Sequence, residues 1–236
     1  MARPVTYKVQ PRAASIKSVG ATTGKRGSCV LLHGWDADGS SMNALCTALK
    51  ALPQAAGWNF YTPTYETHLE TFVAAANDLL PKLRPLRSPL ILVGYSEGGV
   101  VARQMIADGL PVAALVTICC PHLGIGSWIP TPDPGSASVS PFSAELKALN
   151  DSPAESAQRH LYHCFGITCT DVFGDHPDDG VVPIQSALAA KLGAVAEQVT
   201  IHLDYNRHRA GWDPHLRGMD PNYLQPVLDT CAKLFK

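Results

Sequence analysis

The sequence predicts an α/β protein whose central sheet is mostly parallel and carries helices on both faces. Short apolar runs alternate with segments of helical period along most of the 236 residues, which is the pattern of strands joined by crossover helices. Apolar residues make up 46% of the chain and charged residues 17%, a composition that supports a large core and is not that of a disordered protein. No repeat or linker divides the chain, so we expect one domain over residues 1–236.

The predicted strands are short runs of apolar residues, as expected for strands buried on both faces of a sheet. They cover residues 29–32, 90–93, 112–118, 167–173 and 199–203. An alternating stretch at residues 4–9 predicts an additional edge strand.

The predicted helices lie between these strands. In the first, Met42, Leu45, Leu49 and Leu52 recur at helical spacing, and Ser40 or Ser41 can cap its start. Further helices are predicted over residues 69–83, 97–107, 184–192 and 220–235.

Residues 123–165 interrupt this rhythm. The segment opens with several glycines and prolines and continues with two short helical stretches, near residues 142–149 and 153–163. An irregular insertion of this size is usually functional or disordered. We expect a short cap over the mouth of the sheet, with apolar side chains that could line an acyl pocket: Leu123, Ile125, Trp128, Ile129 and Phe142.

Charge and hydropathy limit the classes of partner that we expect for this protein. The net charge is −1 at pH 7, so no global basic field attracts nucleic acid or an anionic membrane. No apolar run approaches the ~18 residues of a membrane span. The first 35 residues carry six Lys or Arg and no acid, which fits a solvated edge strand better than a transit peptide. We expect a soluble protein and favour a cytoplasmic one, with a trimmed secreted form as the alternative, and we leave its oligomeric state open.

The seven cysteines are expected to be mainly packing residues. Cys164 and Cys169 are close enough in sequence for a disulfide, which stays an alternative. His160, His163 and Cys164 match no zinc-site spacing. We therefore expect neither a metal nor a cofactor.

A candidate nucleophile lies in the motif Gly94-Tyr95-Ser96-Glu97-Gly98. The motif alone is modest evidence, but here a predicted strand precedes it and a predicted helix follows it. That context is the strained strand-to-helix turn that exposes a nucleophilic serine, with glycines where strand and helix pack closely. Ser96 is therefore the predicted nucleophile.

A serine nucleophile needs a base that is held by an acid. Asp179, in a loop after a predicted strand, is the preferred acid, with Asp175 and Asp178 as rivals. Three histidines lie near the last predicted strand. His202 falls inside that strand, His208 follows it by a short loop, and His215 is more remote, so His208 is the predicted base.

An acyl-transfer site also needs backbone N–H groups that face the developing oxyanion. One comes from the residue after the nucleophile, Glu97, and the other from the loop after the first buried strand, where Trp35 follows Gly34. His33 is expected to hold that loop by hydrogen bonds.

These motifs together resemble the lipase and serine-esterase branch of the α/β-hydrolases. The resemblance covers about residues 28–215 and rests on four segments: His33-Gly34, the serine motif at 94–98, Pro121-His122-Leu123-Gly124, and residues 179–183. It implies the α/β-hydrolase fold, a triad of Ser96, Asp179 and His208, and an oxyanion hole formed by Trp35 and Glu97. Substrate contacts are expected at a further set of residues: His33, Tyr95, His122, Leu123 and Trp128.

The sequence also departs from that branch. Cys119 and Cys120 replace small or hydroxyl residues, the cap is short, and the calcium-site residues of some bacterial lipases have no match. These features favour a compact esterase for short to medium acyl esters over a large lipase. An acyl-thioesterase or acyltransferase with the same triad, and an inactive binding protein on the same fold, stay as alternatives.

Overall fold

An eight-stranded, mostly parallel sheet forms the centre of the molecule, as the sequence predicts. The computed structural model describes residues 12–127, 129–171, 174–204 and 214–236. Its strands are β1 (Ser15–Ser18), β2 (Gly27–Leu32), β3 (Trp58–Thr64), β4 (Leu90–Tyr95), β5 (Ala114–Ile118), β6 (Tyr162–Asp171), β7 (Gly174–His176) and β8 (Glu197–Asp204). Their order is β1-β3-β2-β4-β5-β6-β7, and β8 also pairs with β6. Only β1 and β7 are antiparallel to their neighbours among these described pairs.

Helices cover both faces of this sheet because side chains alternate along each strand. In β2, Val30 and Leu32 face one apolar cluster, and Cys29 and Leu31 face another. The first cluster packs under α2 (Phe72–Leu83) and α3 (Glu97–Ala107). The second packs under α1 (Asn43–Lys50) and α8 (Gln225–Leu234).

The segment between β5 and β6 carries three short helices. They are α4 (Pro134–Ser138), α5 (Ala144–Asn150) and α6 (Pro153–Ser156). Because β6 begins at Tyr162, this inserted segment ends earlier than the predicted cap boundary at residue 165. We call residues 123–161 the cap segment.

A buried ion network fastens the cap segment to the helix that follows Ser96. The Glu155 carboxylate accepts from Arg103 Nε at 2.7 Å and from Arg159 Nε at 2.6 Å. The side chains of Arg103 and Glu155 are fully buried. Arg103 also donates to the Asn150 side chain and to the His122 carbonyl, so its charge is dispersed over several partners.

Several elements differ from their predictions. The predicted helix over 153–163 consists of α6 and a short 3-10 turn at Arg159–Leu161. The one over 184–192 shortens to α7 (Ile184–Ala187). Strands β1, β3 and β7 were not predicted, and the edge strand predicted at 4–9 lies outside the described residues.

All seven cysteines are buried, with free thiols. Cys164 and Cys169 lie in the same extended strand, β6, where five residues span roughly 16 Å. A disulfide needs Cα atoms about 4.4–6.8 Å apart, so the alternative of a Cys164–Cys169 bridge is wrong. The His163 ring is hydrogen bonded to Glu197 at 3.0 Å.

Within the described ranges, no helix has the length and apolar character needed to cross a bilayer.

Candidate active site

Ser96 occupies the sharp turn between β4 and α3, as predicted. Its backbone has φ 51° and ψ −127°, a conformation that non-glycine residues rarely adopt. The turn is held from both sides, because the Ser96 N–H donates to the Ile118 carbonyl at 2.8 Å and the Ser96 carbonyl accepts from the Gly99 N–H at 3.0 Å.

The glycines around Ser96 allow close backbone approach. A Cβ on Gly94 would lie 2.5 Å from the Gly99 Cα, and one on Gly98 would lie 2.4 Å from the His33 carbonyl oxygen. A Cβ on Gly99 would lie 2.5 Å from the Cys120 sulfur. Each distance is too short for a side chain, so these glycines let α3 start directly against β2, β4 and the end of β5.

A continuous chain of hydrogen bonds connects Ser96 to a buried carboxylate. Ser96 Oγ lies 3.0 Å from His215 Nε2, and His215 Nδ1 lies 2.7 Å from Asp179 Oδ2. Asp179 cannot donate when ionised, so Nδ1 carries the proton and Nε2 is free to accept from the Ser96 hydroxyl. This tautomer is the one that a general base needs.

The environment of Asp179 keeps it ionised. Its Oδ1 accepts from the N–H groups of Val181 at 3.0 Å and Val182 at 2.7 Å. Burial would raise the pKa of this carboxyl, but His215 and the two N–H donors outweigh that effect and hold the pKa below its ordinary value. The rival Asp178 instead accepts from the Gly180 N–H in its own turn.

The histidine that connects Ser96 to Asp179 is His215, whereas the sequence predicts His208. His208 lies outside the described residues, whereas His215 contacts both Ser96 and Asp179. Among the described histidines, His215 is therefore the candidate for the base. Tyr95 positions it, because the Tyr95 hydroxyl donates to the His215 carbonyl at 2.9 Å and the two rings lie 5.1 Å apart. The remaining rival, His202, lies in β8 with its ring against Thr168 and Thr170.

The loop after β2 lies directly beside the nucleophile. A Cβ on Gly34 would be 3.0 Å from the Ser96 Cβ, so the backbone that leads to Trp35 borders Ser96. Glu97 is the first residue of α3, and the first N–H groups of a helix have no partner within it. The backbone N–H groups of Trp35 and Glu97 are thus candidates for the oxyanion hole.

His33 supports that loop from below, as predicted. Its Nδ1 lies 2.8 Å from the Gly34 carbonyl, its Nε2 accepts from the Tyr65 N–H at 3.3 Å, and its ring stacks on Tyr65. Burial lowers the pKa of His33 to about 4, so the ring is neutral at neutral pH, and its Nδ1–H donates to the Gly34 carbonyl while Nε2 accepts from Tyr65.

A cavity of about 600 Å³ opens above Ser96. One wall comes from the loop after β2. The other comes from the cap segment and from the residues around His215. The apolar lining consists of Trp35, Ala37, Tyr95, Ile125, Ile129, Pro130, Val139, Val181, Leu216 and Met219.

The predicted substrate contacts are only partly found at this cavity. Tyr95 lines it, while His33, His122 and Leu123 are not among the described residues of its lining. The His122 ring is buried against Thr117 at 3.0 Å, and burial lowers its pKa. Trp128 lies outside the described residues. Phe142, expected in the pocket, is 84% exposed.

Cys119 lies beside the site and is not among the site residues predicted from the sequence. Its sulfur lies within 4.8 Å of one ligand atom each from Asp179 and His215, and burial raises the pKa of its thiol. These three side chains could hold a metal ion, but His215 is already hydrogen bonded to Asp179 through Nδ1 and to Ser96 through Nε2. The sequence marks this position because Cys119 and Cys120 stand where the lipase and serine-esterase branch has small or hydroxyl residues.

Comparisons with known proteins define the fold. No protein-family model and no curated protein matches the chain. The mature lipase BlEst2 of Bacillus licheniformis superposes with a TM-score of 0.67 at 17% identity, covering 95% of this chain and 99% of that one. The propeptide form of the same lipase gives a TM-score of 0.61 at 16% identity, and the match covers 95% of this chain and 54% of that longer chain.

Two further solved structures extend this likeness. A monoacylglycerol lipase of Paleococcus ferrophilus gives a TM-score of 0.57 at 12% identity over 94% of this chain and 99% of that one. The epoxide hydrolase CorEH gives 0.52 at 15% identity over the same shares. The chain therefore has the α/β-hydrolase fold, as the sequence predicted. Because this fold carries several chemistries, the reaction has to be argued from the site.

Proposed function

We propose that the protein is a carboxylic ester hydrolase whose catalytic triad is Ser96, His215 and Asp179. The observation that carries the proposal is the chain of two hydrogen bonds from Ser96 Oγ through His215 to Asp179. These two hydrogen bonds join a nucleophile, a base whose Nε2 can accept the serine proton, and an ionised acid.

The reaction proceeds through an acyl-enzyme. Ser96 Oγ attacks the ester carbonyl carbon while His215 Nε2 takes the hydroxyl proton, and Asp179 stabilises the resulting imidazolium. The N–H groups of Trp35 and Glu97 stabilise the oxyanion of the tetrahedral intermediate. His215 then protonates the leaving alkoxide, and water releases the acid by the same steps.

The cavity supports an acyl ester as the substrate. The larger part of its lining surface is apolar, as in most ligand sites, and polar side chains line the rest, among them Arg12, Asp38 and His215. A short cap segment bounds it, so it suits short to medium acyl chains.

Active-site labelling tests the proposal directly. A fluorophosphonate probe should add one covalent mass to the wild-type protein and none to Ser96→Ala, because only an activated serine displaces fluoride from phosphorus. Ser138→Ala is a matched control, since Ser138 is also buried but hydrogen bonds to the Gly135 carbonyl within the cap segment. It should label like wild type.

Hydrolysis of p-nitrophenyl butyrate by the same three proteins completes the test. We expect Ser96→Ala to lose at least about 10⁴-fold in kcat, as loss of a triad member does. Acylation of Ser96→Ala, or wild-type turnover by a folded Ser96→Ala protein, would contradict the proposal. A labelled wild-type protein that turns over thioesters and no oxygen esters would retain the triad and refute the ester specificity.

A further inference from the structure

The His68 ring lies between two carboxylates from different parts of the chain. Its Nδ1 is 2.9 Å from Asp133 Oδ2, and its Nε2 is 2.9 Å from Asp36 Oδ1. Asp36 follows Trp35 in the loop after β2, His68 lies in the loop after β3, and Asp133 begins α4 of the cap segment. One imidazole therefore connects three segments that border the cavity.

Both contacts require a protonated ring. Ionised carboxylates only accept hydrogen bonds, and a neutral imidazole has a single N–H to donate. The imidazolium satisfies Asp36 and Asp133 together, whereas the neutral ring satisfies one and turns a lone pair toward the other.

The surrounding charges favour the imidazolium. The side chain of His68 is 16% exposed, and Glu66 Oε1 accepts from the His68 backbone N–H at 2.8 Å. Burial would lower the pKa of His68, but Asp133 and Asp36 outweigh it and raise the pKa above its ordinary value. The other titratable groups on the neighbouring segments are four acids and one cation: Asp38, Glu66, Glu70, Glu97 and Arg12. Burial raises the pKa of Glu97 well above its ordinary value, so its carboxyl is not counted among the anions that favour the imidazolium.

The same cluster fixes Trp35. The Trp35 indole N–H donates to Asp133 Oδ1 at 3.2 Å, and its ring packs edge-on against His68 at 4.7 Å. Asp133 Oδ1 also accepts from the Ser136 N–H at 2.9 Å, so the acid that holds Trp35 is the N-cap of α4. Trp35 and Ser136 both line the cavity.

We propose that protonated His68 is a positioning residue that clamps the cap segment to the Trp35 loop. The clamp holds the Trp35 backbone N–H in place for the oxyanion, so this inference rests on the proposed function. Because the pKa of His68 is raised on folding, the clamp is complete at low pH and is released as pH rises through that pKa. Release loosens one oxyanion donor and one wall of the cavity.

An NMR titration of the Ser96→Ala protein tests the clamp without any activity. The assigned His68 ring signals should titrate above the ordinary value of 6.5, and the Trp35 indole N–H signal should shift with the same midpoint. In Asp36→Asn the midpoint should fall, because one of the two anions has been neutralised. A Trp35 signal that ignores the His68 titration, or a His68 midpoint at or below 6.5, would overturn the proposal.

Kinetics of the active protein test the positioning role. We expect His68→Gln to lower kcat at neutral pH by about tenfold with KM little changed, a fraction of the 10²–10³ that complete loss of an oxyanion donor costs. It should also lose the decline in kcat that wild type shows as pH rises through the His68 midpoint. His160→Gln, at an exposed cap histidine bonded to the Ala157 carbonyl, should behave like wild type.

The NMR titration and the kinetics together distinguish a failure of this inference from a failure of the proposed function. Wild-type kcat and pH profile in His68→Gln, with Ser96→Ala inactive, would refute the clamp and retain the hydrolase. Coupled titration of His68 and Trp35 in a protein that hydrolyses no ester would support the clamp and refute the hydrolase.

Discussion

At the scale of single residues, the backbone of Ser96 is a constrained point of the site, as are those of Asp36 and Cys119, which also have positive φ. A non-glycine residue with φ 51° costs of order 1–3 kcal/mol and persists only where its surroundings enforce it. Here the enforcement comes from the Ser96 N–H bond to Ile118 and from the close packing of Gly94 on Gly99. The strained turn keeps the hydroxyl above the sheet, where His215 reaches it.

Substitution of the histidines discriminates the two candidate bases. His215→Gln should lower kcat by about 10⁴-fold or more, since a triad without its base cannot activate the serine. His208→Gln should be mild, and His202→Gln is the matched control because its ring contacts Thr168 and Thr170 on β6. In wild type, activity should fall toward acid pH as the base becomes protonated.

The three variants are compared by kcat/KM for one p-nitrophenyl ester across pH, with circular dichroism to verify folding. Retained turnover in His215→Gln together with its loss in His208→Gln would restore the assignment made from sequence.

The sequence predicts Ser96 and Asp179, which the structure brings together through His215, but it favours His208 over His215, for a physical reason. A strand-to-helix turn is a local structure, so the glycines and the flanking apolar run are sufficient to predict it. His215 reaches Ser96 from a separate segment after β8, and several histidines satisfy the same chain order. Only the distances to Ser96 and Asp179 distinguish His215, and the Tyr95 contact that positions it is equally non-local.

At the scale of elements, continuous apolar runs predict the central strands β2, β4 and β5, whereas β1, β3 and β7 contain no such run. β2 and β4 appear as continuous apolar runs because each lies in the middle of the parallel sheet. β3 contains Pro63, which is unusual within a sheet, and its pairing with β1 and β2 outweighs that local signal. The predicted start of β6, at residue 167, lies five residues after its actual start at Tyr162. Tyr162 and His163 fall instead at the end of a predicted helix.

The cap segment sets the acyl-length preference that we expect. Each methylene buried against Ile125 or Val139 contributes roughly 0.8 kcal/mol, which is about fourfold in kcat/KM, until the cavity is full. A series of p-nitrophenyl esters should therefore show kcat/KM rising through short and medium chains and then falling. Val139→Ala, which widens the cavity, should move the maximum to longer chains.

Ala137→Gly, a small change in α4 two residues before Val139 and outside the cavity lining, is the control and should leave the maximum unchanged. A kcat/KM that climbs steadily to emulsified long-chain triglycerides, with activation at the oil–water interface, would contradict this expectation.

At the scale of the whole molecule, the ion network of Arg103, Glu155 and Arg159 couples the cap segment to the core. Glu155→Ala should destabilise the protein by about 3–5 kcal/mol, since it leaves two arginines buried without their carboxylate. For a chain of this length that is a fall in Tm of roughly 6–20 °C. Thermal and urea unfolding measure it.

Asp151→Ala is the control, because it removes an ion pair with Lys147 in which both side chains are mostly exposed. Exposed pairs contribute little, so its unfolding midpoint should stay near that of wild type. Equal midpoints for Glu155→Ala and wild type would show that the network does not fasten the cap segment.

The burial of all seven cysteines has a practical consequence for the chemistry of the folded chain. Alkylating reagents and mild oxidants act on exposed thiolates, and these sulfurs are shielded by the two apolar clusters and the sheet. A sulfur becomes reactive only when the structure around it opens, so the rate of its alkylation records the frequency of that opening. Mass spectrometry of the modified peptides would then report local unfolding separately for the α1–α8 side, through Cys46 and Cys231, and for the neighbourhood of Asp179, through Cys119.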